Sequence, residues 1–461
     1  MSHPLPNLIA DSPSAGTVWL VTEAHFADRV ATDPDLAALC TLHDFAGQAG
    51  RLVLRTGTDG PEAWFGLGRT AGSVMSLRAL AERLPAGDWR IAADAPWPVE
   101  RIALAFALGG YSFDRYKQTK ARPGPRLVVG AAAPEASKIA EACAMARTLI
   151  NTPAADMGPA ELEAAARSLA AAHGASVSVV VGDDLLRDGY PAVHAVGRAA
   201  TPARAPRMIE IQWGDPTAPV VALVGKGVTF DTGGLDLKPS AGMRWMKKDM
   251  GGAAHALALG QLIMGAGLPV RLVVLVAAVE NSVSGDAMRP GDVLHTRKGL
   301  TVEVGNTDAE GRLILSDALS RAGELAPALT LDFATLTGAA RVALGPDLPP
   351  FFTDDEALAA DLAAAAQATE DPIWRLPLWD AYDESLESDI ADLKNDPDGW
   401  AQAGAVTAAL FLRRFAPAGS WAHFDIFAWR ARKLPGRTFG GEAQALRATF
   451  EMISRRYGVA K

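Results

Sequence analysis

Cysteine is scarce in this chain of 461 residues, and the two that occur, Cys40 and Cys143, cannot build a disulfide framework. The first 18 residues lack a basic stretch followed by an apolar core, so no signal peptide is expected. The most apolar stretch, Val270 to Val279, is interrupted by Arg271. It is too short to span a bilayer and predicts a buried strand. These absences favour a cytoplasmic protein with no membrane partner.

An excess of positive charge is missing as well. The chain carries 44 Lys and Arg against 53 Asp and Glu, a formal net charge of −9, which argues against a dedicated nucleic-acid binder. Hydrophobic residues make up 49% and charged residues 21% of the chain, which is typical of a globular protein. The length predicts two or more domains.

The first part of the chain predicts a small α/β domain, residues 1–128, without a catalytic constellation. Its predicted strands are Thr17 to Val21 and Arg51 to Leu54, and its predicted helices are Val74 to Leu84 and Arg101 to Leu108. The basic, proline-punctuated stretch Lys120 to Pro125 is the best linker candidate. Residues 129–150 are interpreted as linker and connecting helix, and residues 151–461 as a larger second domain.

The second part of the chain alternates between strand-like and helix-like segments. The predicted strands are Val177–Val181, Met208–Ile211, Val220–Val224, Leu272–Val279 and Leu329–Leu336, and the helices are Glu135–Ile150, Pro159–His173, Gly251–Met264 and Leu313–Leu325. Such alternation predicts a mainly parallel sheet flanked by helices. In such sheets, chemistry gathers where the chain leaves the carboxyl ends of the strands.

Three short segments concentrate charge among glycines. They are Gly305–Leu313, Gly225–Pro239 directly after a predicted strand, and Lys247–Ala254 at a predicted helix start. Taken singly, each acid has an ordinary interpretation as a helix N-cap or a helix-start carboxylate. A phosphate-binding loop is not favoured, because the pattern G-x-x-x-x-G-K-[ST] is absent.

Four carboxylates of these segments lie at or near predicted strand ends or helix starts: Asp231, Asp249, Asp308 and Glu310. If they converge, their repulsion raises their pKa values, and a divalent cation removes the conflict. Carboxylate clusters suit Mg, Mn or Zn, and a two-metal site needs bridging carboxylates, for which Asp231 and Glu310 are candidates. His255, inside a predicted helix, is interpreted as a packing or surface residue.

These segments resemble the leucyl aminopeptidase (cytosol aminopeptidase) family of dinuclear metallopeptidases. The family signature N-T-D-A-E-G-R-L stands intact as Asn306 to Leu313. The family's G-K-G…F-D-x-G-G…K-P segment stands as Gly225 to Pro239, and its K-x-D-M-G-G-A-A segment as Lys247 to Ala254. Further similar stretches include Asn151 to Ala154 and Asp332 to Gly338, and the resemblance runs from about residue 145 to 430.

The resemblance implies a metal-dependent aminopeptidase whose catalytic domain is residues 151–461. It implies two divalent ions, Mn or Zn with Mg and Co as further candidates. The implied ligands are Lys226, Asp231, Asp249 and Glu310 for one ion, and Asp231, Asp308 and Glu310 for the other. Without the resemblance, a salt bridge is the preferred interpretation of Lys226.

The resemblance also implies roles beyond the metals. Lys238 would stabilise the oxyanion, and Arg312 would hold a bicarbonate ion that acts as general base. The side-chain pocket maps onto Met246, Asn306, Ala309, Thr335, Leu336 and Gly338, of which Thr335 and Leu336 equally suit core packing. Peptides are the implied substrates and a homohexamer the implied assembly.

The C-terminal stretch Phe427 to Gly441 departs from the glycine-rich ending of the family. Trp429 and Phe439 are therefore expected to reshape the side-chain pocket, which leaves a preference for leucine unsupported. Two alternative functions remain open: another dinuclear hydrolase acting on amides or esters, and a DNA-binding or regulatory role. Mixed charges in the N-terminal domain, such as Glu82 beside Arg83, give no support to DNA binding.

Overall fold

A computed structural model describes residues 7–118, 123–397 and 402–458. They form two compact units, one of Ser2–Ala144 with Ala431–Phe439 and one of Met145–Arg430 with Gly440–Lys461. The helix α5 (Ala133–Asn151) runs through the division between these sequence ranges. Within the described ranges, no helix is long and apolar enough to cross a membrane.

The N-terminal unit is built on one mixed sheet. Its strands are β1 (Leu8–Ile9), β2 (Gly16–Thr22), β3 (Leu52–Gly57), β4 (Gly60–Gly68), β5 (Gly87–Ile91) and β6 (Pro125–Val128), and its helices are α1 (Glu23–Val30), α2 (Pro34–Leu42), α3 (Leu80–Arg83) and α4 (Val99–Gly109). The strand order is β1-β6-β5-β2-β4-β3, and only the β3–β4 pair is antiparallel among the described strands.

Two predictions in this unit need correction. The segment Val74–Ala79 is a 3₁₀ helix, and α-helix follows only over Leu80–Arg83, so one continuous helix was wrong. Nearly every side chain of this segment is buried, and tertiary packing of this kind overrides helical propensity. Part of the predicted linker, residues 119–122, lies outside the described residues, and Pro125 already begins a strand.

The C-terminal unit is larger. Its helices after α5 are α6 (Pro159–His173), α7 (Asp184–Arg187), α8 (Pro191–Gly197), α9 (Ser240–Met243), α10 (Gly251–Ala266), α11 (Glu310–Gly323), α12 (Gly338–Leu344), α13 (Glu356–Thr369), α14 (Gly404–Arg413) and α15 (Leu446–Tyr457). Its strands are β7 (Ser176–Val181), β8 (Arg207–Trp213), β9 (Val220–Asp231), β10 (Arg271–Asn281), β11 (Val293–His295), β12 (Thr301–Glu303), β13 (Leu329–Ala334), β14 (Pro350–Phe352), β15 (Trp374–Arg375), β16 (Leu393–Lys394), β17 (Ser420–Asp425), β18 (Trp429–Arg430) and β19 (Gly440–Gly441).

The central sheet of this unit has the order β15-β14-β17-β13-β9-β10-β8-β7. Its four middle strands, β17, β13, β9 and β10, are mutually parallel, whereas β7 and β8 pair antiparallel. The middle strands are almost wholly buried apolar runs, as expected for strands covered on both faces. The predicted α/β fold with a mainly parallel sheet is therefore confirmed.

Strand β9 is longer than predicted, because it continues through the glycine-rich segment to Asp231. Gly225 and Gly227 pair with β10 inside the sheet rather than forming a loop. A Cβ on Gly225 would lie 2.6 Å from the Cα of Ala253, so only glycine lets α10 approach this closely. As a result, Lys226 and Asp231 both lie on a strand of the central sheet rather than on a loop.

The parallel strands end at one edge of the sheet in polar residues. Strand β9 ends at Asp231, β10 at Asn281 and β17 at Asp425, while Thr335 directly follows β13. The edge at the carboxyl ends of parallel strands is where a binding site is expected in an open α/β sheet.

Candidate active site

Five charged side chains of the three motif segments meet at this edge. Lys226 and Asp231 come from β9, Asp249 from a 3₁₀ turn over Met246–Met250, Asp308 from the loop before α11, and Glu310 from the first residue of α11. Oxygen atoms of Asp231, Asp308 and Glu310 all lie within 4.8 Å of one another. The convergence inferred from the sequence is therefore present.

Crowding and burial change the ionisation of these acids. Burial, with repulsion from Asp231, raises the pKa of Asp308 to about 6 and that of Glu310 to about 8. Glu310 is 1% exposed. In the absence of a cation, full ionisation of the cluster is therefore unfavourable. A bound cation would stabilise the ionised carboxylates.

Two lysines partly offset the acids. Lys226 Nζ lies 2.7 Å from Asp249 Oδ2 and 2.8 Å from Glu310 Oε1 and donates to the Thr335 carbonyl. Lys238 Nζ lies 2.8 Å from Asp231 Oδ2 and also contacts Asp308. Burial lowers the pKa of each lysine, but the surrounding carboxylates outweigh it and raise both pKa values.

The lysines reach several oxygen atoms of the cluster as ion pairs, but not all of these contacts have the geometry of a hydrogen bond. Asp249 Oδ2, Asp308 Oδ1 and both Glu310 oxygens have no hydrogen bond of acceptable geometry within the described part of the chain. Such unsatisfied buried oxygens are costly unless something binds them. The donor set of four carboxylates fits divalent cations, so these residues are suited to hold metal.

Arg312 is buried one turn into α11. Its Nη1 donates to the Asn395 carbonyl at 2.5 Å, and its Nε has no partner among the described residues. Burial lowers the pKa of the guanidinium, although Asp396 and Glu310 oppose this. A planar cation with a free donor can take up an oxyanion.

Sequence reasoning missed two asparagines that fix the site. Asn281 Nδ2 donates to Asp231 Oδ1 at 2.9 Å and to the Thr307 carbonyl at 3.1 Å, which joins β9 to the loop carrying Asp308. Asn395 accepts from Gly305 N and donates to the Asn306 carbonyl, so it holds that loop from the other side. A polar residue at the end of β10 was the available signal for Asn281. No comparable signal marks Asn395.

The six predicted pocket residues lie on the segments that carry the cluster or that follow Thr335, and Thr335 itself contacts the cluster. Thr335 is buried and donates to Asp249 Oδ1 at 2.8 Å, Met246 opens the 3₁₀ turn that carries Asp249, and Gly338 begins α12. Asn306 and Ala309 are joined through Asn395, and Leu336 N donates to Asp425.

Three further residues singled out in the sequence, His255, Trp429 and Phe439, lie in different surroundings. His255 is buried, with Nδ1 2.6 Å from the Gly251 carbonyl, which agrees with a packing role. Burial lowers its pKa to about 4. Trp429 is buried beside Lys247, whereas Phe439 is exposed and lies in the other compact unit.

Asp425 fixes the loop that follows β13. Its Oδ1 accepts from Leu336 N at 3.0 Å and Thr337 N at 3.1 Å, and its Oδ2 accepts from Thr337 Oγ1. Replacing Asp425 with alanine leaves two partly buried N–H groups without their acceptor and is expected to lower the free energy of unfolding by about 1–3 kcal/mol. Denaturant unfolding measures this effect.

The matched variant of this experiment is Asp425→Asn. The amide oxygen of asparagine can still accept from both backbone N–H groups, so we expect less than half the loss. Equal losses in the two variants would show that charge, rather than the hydrogen bonds to the loop, accounts for the stabilisation.

Comparison with known proteins places this geometry in a family. The model of the cytosol aminopeptidase family catalytic domain matches residues 144–449, and that of the M17 aminopeptidase N-terminal domain matches residues 21–129. A probable cytosol aminopeptidase of Syntrophotalea carbinolica is 40% identical over 376 residues, covering 77% of this chain and 75% of the relative.

Solved structures agree with this placement. The crystal structure of the cytosol aminopeptidase from Coxiella burnetii has a TM-score of 0.93 and 42% identity, covering 98% of this chain and 100% of that chain. The bottromycin maturation enzyme BotP in complex with Mn has a TM-score of 0.85 and 32% identity, covering 96% and 99%. The chain therefore belongs to the cytosol aminopeptidase family and is a metal-dependent aminopeptidase of the leucyl aminopeptidase type.

Proposed function

We propose that this enzyme releases N-terminal residues with two divalent ions and a bicarbonate ion. One ion would be held by Lys226, Asp231, Asp249 and Glu310, and the other by Asp231, Asp308 and Glu310. When bound, two such ions supply an activated water and polarise the scissile carbonyl. The observation that carries the proposal is the convergence of oxygen atoms of Asp231, Asp308 and Glu310 within 4.8 Å of one another.

Lys226 must present a neutral amine to serve as a ligand. Its Nζ is already enclosed by Asp249, Glu310 and the Thr335 carbonyl, so a lost proton leaves the nitrogen facing the same cavity. The carboxylates raise the pKa of both lysines while no cation is bound. Lys226 would therefore give up its proton only to a bound divalent ion, whereas Lys238, which is not a proposed ligand, would keep its proton. It therefore supplies positive charge where an oxyanion develops.

Arg312 supports the bicarbonate assignment. An arginine has no proton to exchange near neutral pH, so a base beside it must come from elsewhere. Its backbone anchor on Asn395 fixes the guanidinium while Nε stays free, which suits a small planar oxyanion. The homohexamer rests on the family resemblance alone and stays a prediction, as do the domain limits.

Metal removal and restoration test the proposal. After exhaustive chelation the enzyme is expected to stop releasing N-terminal residues from peptides, and Mn or Zn should restore the activity, with metal content reaching two ions per chain. N-acetylated peptides of the same sequence are the matched control and should resist cleavage, because the proposal requires a free α-amine. Full activity in excess chelator, with metal shown to be negligible, would sink the proposal.

A further inference from the structure

Phe427 lies between two cationic side chains. Lys248 Nζ is 5.5 Å and the Arg341 Cζ 4.4 Å from the centroid of its ring, and Phe427 itself is 6% exposed. Cations over an aromatic face are attracted by the ring quadrupole. The two cationic groups thus share one apolar neighbour.

Both cations adjoin residues of the proposed side-chain pocket. Lys248 belongs to the 3₁₀ turn Met246–Met250, and Arg341 lies on α12, which begins at Gly338. A Cβ built on Gly338 would lie 3.7 Å from Arg341 Nη2. A role for Lys248 and Arg341 in substrate choice rests on the proposed function, because that function assigns the side-chain pocket to Met246 and Gly338.

The two cations have too little negative charge around them. The one ion-pair partner of Lys248 in the described chain is Asp249, 3.6 Å away, and the same carboxylate is 2.7 Å from Lys226 and accepts from Thr335. Arg341 is exposed and makes no ion pair with any described residue. Asp249 is also a proposed metal ligand, and Asp425, which lines the same cleft as Arg341 and Phe427, accepts hydrogen bonds from Leu336 and Thr337. The positive charge beside Phe427 therefore has no carboxylate of its own.

We propose that Lys248 and Arg341 select substrates whose N-terminal residue is glutamate or aspartate. A side-chain carboxylate arriving beside Phe427 would make charge-assisted hydrogen bonds, and the guanidinium of Arg341 can bind it through two parallel N–H donors. The methylene groups of the substrate would pack on the apolar ring. A leucine side chain at the same place would offer no negative charge to Lys248 and Arg341.

Paired substrates that differ only in charge test this inference. With the metal-loaded enzyme at low salt, we expect kcat/KM for an N-terminal Glu substrate to exceed that for its Gln counterpart by about tenfold, the effect of one charge-assisted contact. The difference should lie mainly in KM and should shrink in high salt. Arg341→Met is expected to reduce the Glu/Gln ratio by about tenfold, and Arg341→Glu to shift the preference toward N-terminal Lys.

Arg455→Met is the matched control, because Arg455 is an exposed arginine on α15 that pairs with Glu451. It should leave the Glu/Gln ratio unchanged. A wild-type ratio at or below one, with Leu substrates hydrolysed well, would overturn this inference and leave the proposed function standing. Failure to cleave any unblocked peptide would overturn both. A reversal of preference in Arg341→Glu is an outcome that loss of local packing could not produce.

Discussion

Replacing Glu310 with alanine is expected to remove metal binding and nearly all turnover. Glu310 is the first residue of α11 and lies within ligand distance of Asp231 and Asp308 while contacting Lys226. Neither of its oxygens has a hydrogen-bond donor of good geometry among the described residues. In the proposed assignment, Glu310 and Asp231 are the two carboxylates that would be shared by both ions.

Metal content per chain and kcat measure the effect of Glu310→Ala. Two-metal chemistry supplies several kcal/mol of transition-state stabilisation, so loss of both ions should lower kcat by about 10⁴-fold or more. Glu451→Ala is the matched control, because Glu451 is a partly exposed glutamate paired with Arg455 and should keep both metal and turnover. Two ions per chain in Glu310→Ala would remove Glu310 from the proposed bridge.

The fold was predictable to the extent that it depends on burial. Strands such as Val220 to Val224 and helices such as α10 are long apolar or Ala-rich runs, and their alternation indicated a parallel sheet before any contact was known. The extension of β9 to Asp231 was not predictable from pattern. A glycine-rich sequence of this kind is typical of a loop. Glycine is required at position 225 because Ala253 of α10 packs closely against it, and this tertiary contact is not visible in the sequence.

The site divides in the same way. The candidate metal ligands lie in three short segments rich in charged residues and glycine, and this local pattern made them predictable from the sequence. Asn281, Asn395 and Asp425 are single polar residues that act across 26 to 90 positions of sequence separation. Asn281 has one signal, its place at the end of β10, whereas nothing in the neighbours of Asn395 and Asp425 distinguishes them from surface residues. The burial of Lys238 could not be predicted from its sequence neighbours either; its side chain is 14% exposed and contacts Asp231.

Replacing Lys238 with alanine is expected to lower kcat by about 10²–10³-fold, the usual loss for one oxyanion donor. Lys238 contacts Asp231 and Asp308, and the carboxylates around it raise its pKa, so the ammonium persists at neutral pH. Its charge is useful mainly when the oxyanion forms, and KM should therefore change much less than kcat. Steady-state kinetics with metal-saturated enzyme measure both constants.

The metal content of Lys238→Ala separates two roles for this lysine. If Lys238 stabilises the oxyanion, the variant keeps its metals, because an ammonium group cannot be a ligand and its removal frees the Asp231 and Asp308 oxygens. If it serves instead to neutralise those acids, both metal content and kcat should change together. Lys138→Ala, which alters an exposed lysine paired with Glu135, controls for loss of charge at a distance. An unchanged kcat in Lys238→Ala would exclude the oxyanion role, since no other lysine contacts Asp231 and Asp308 among the described residues.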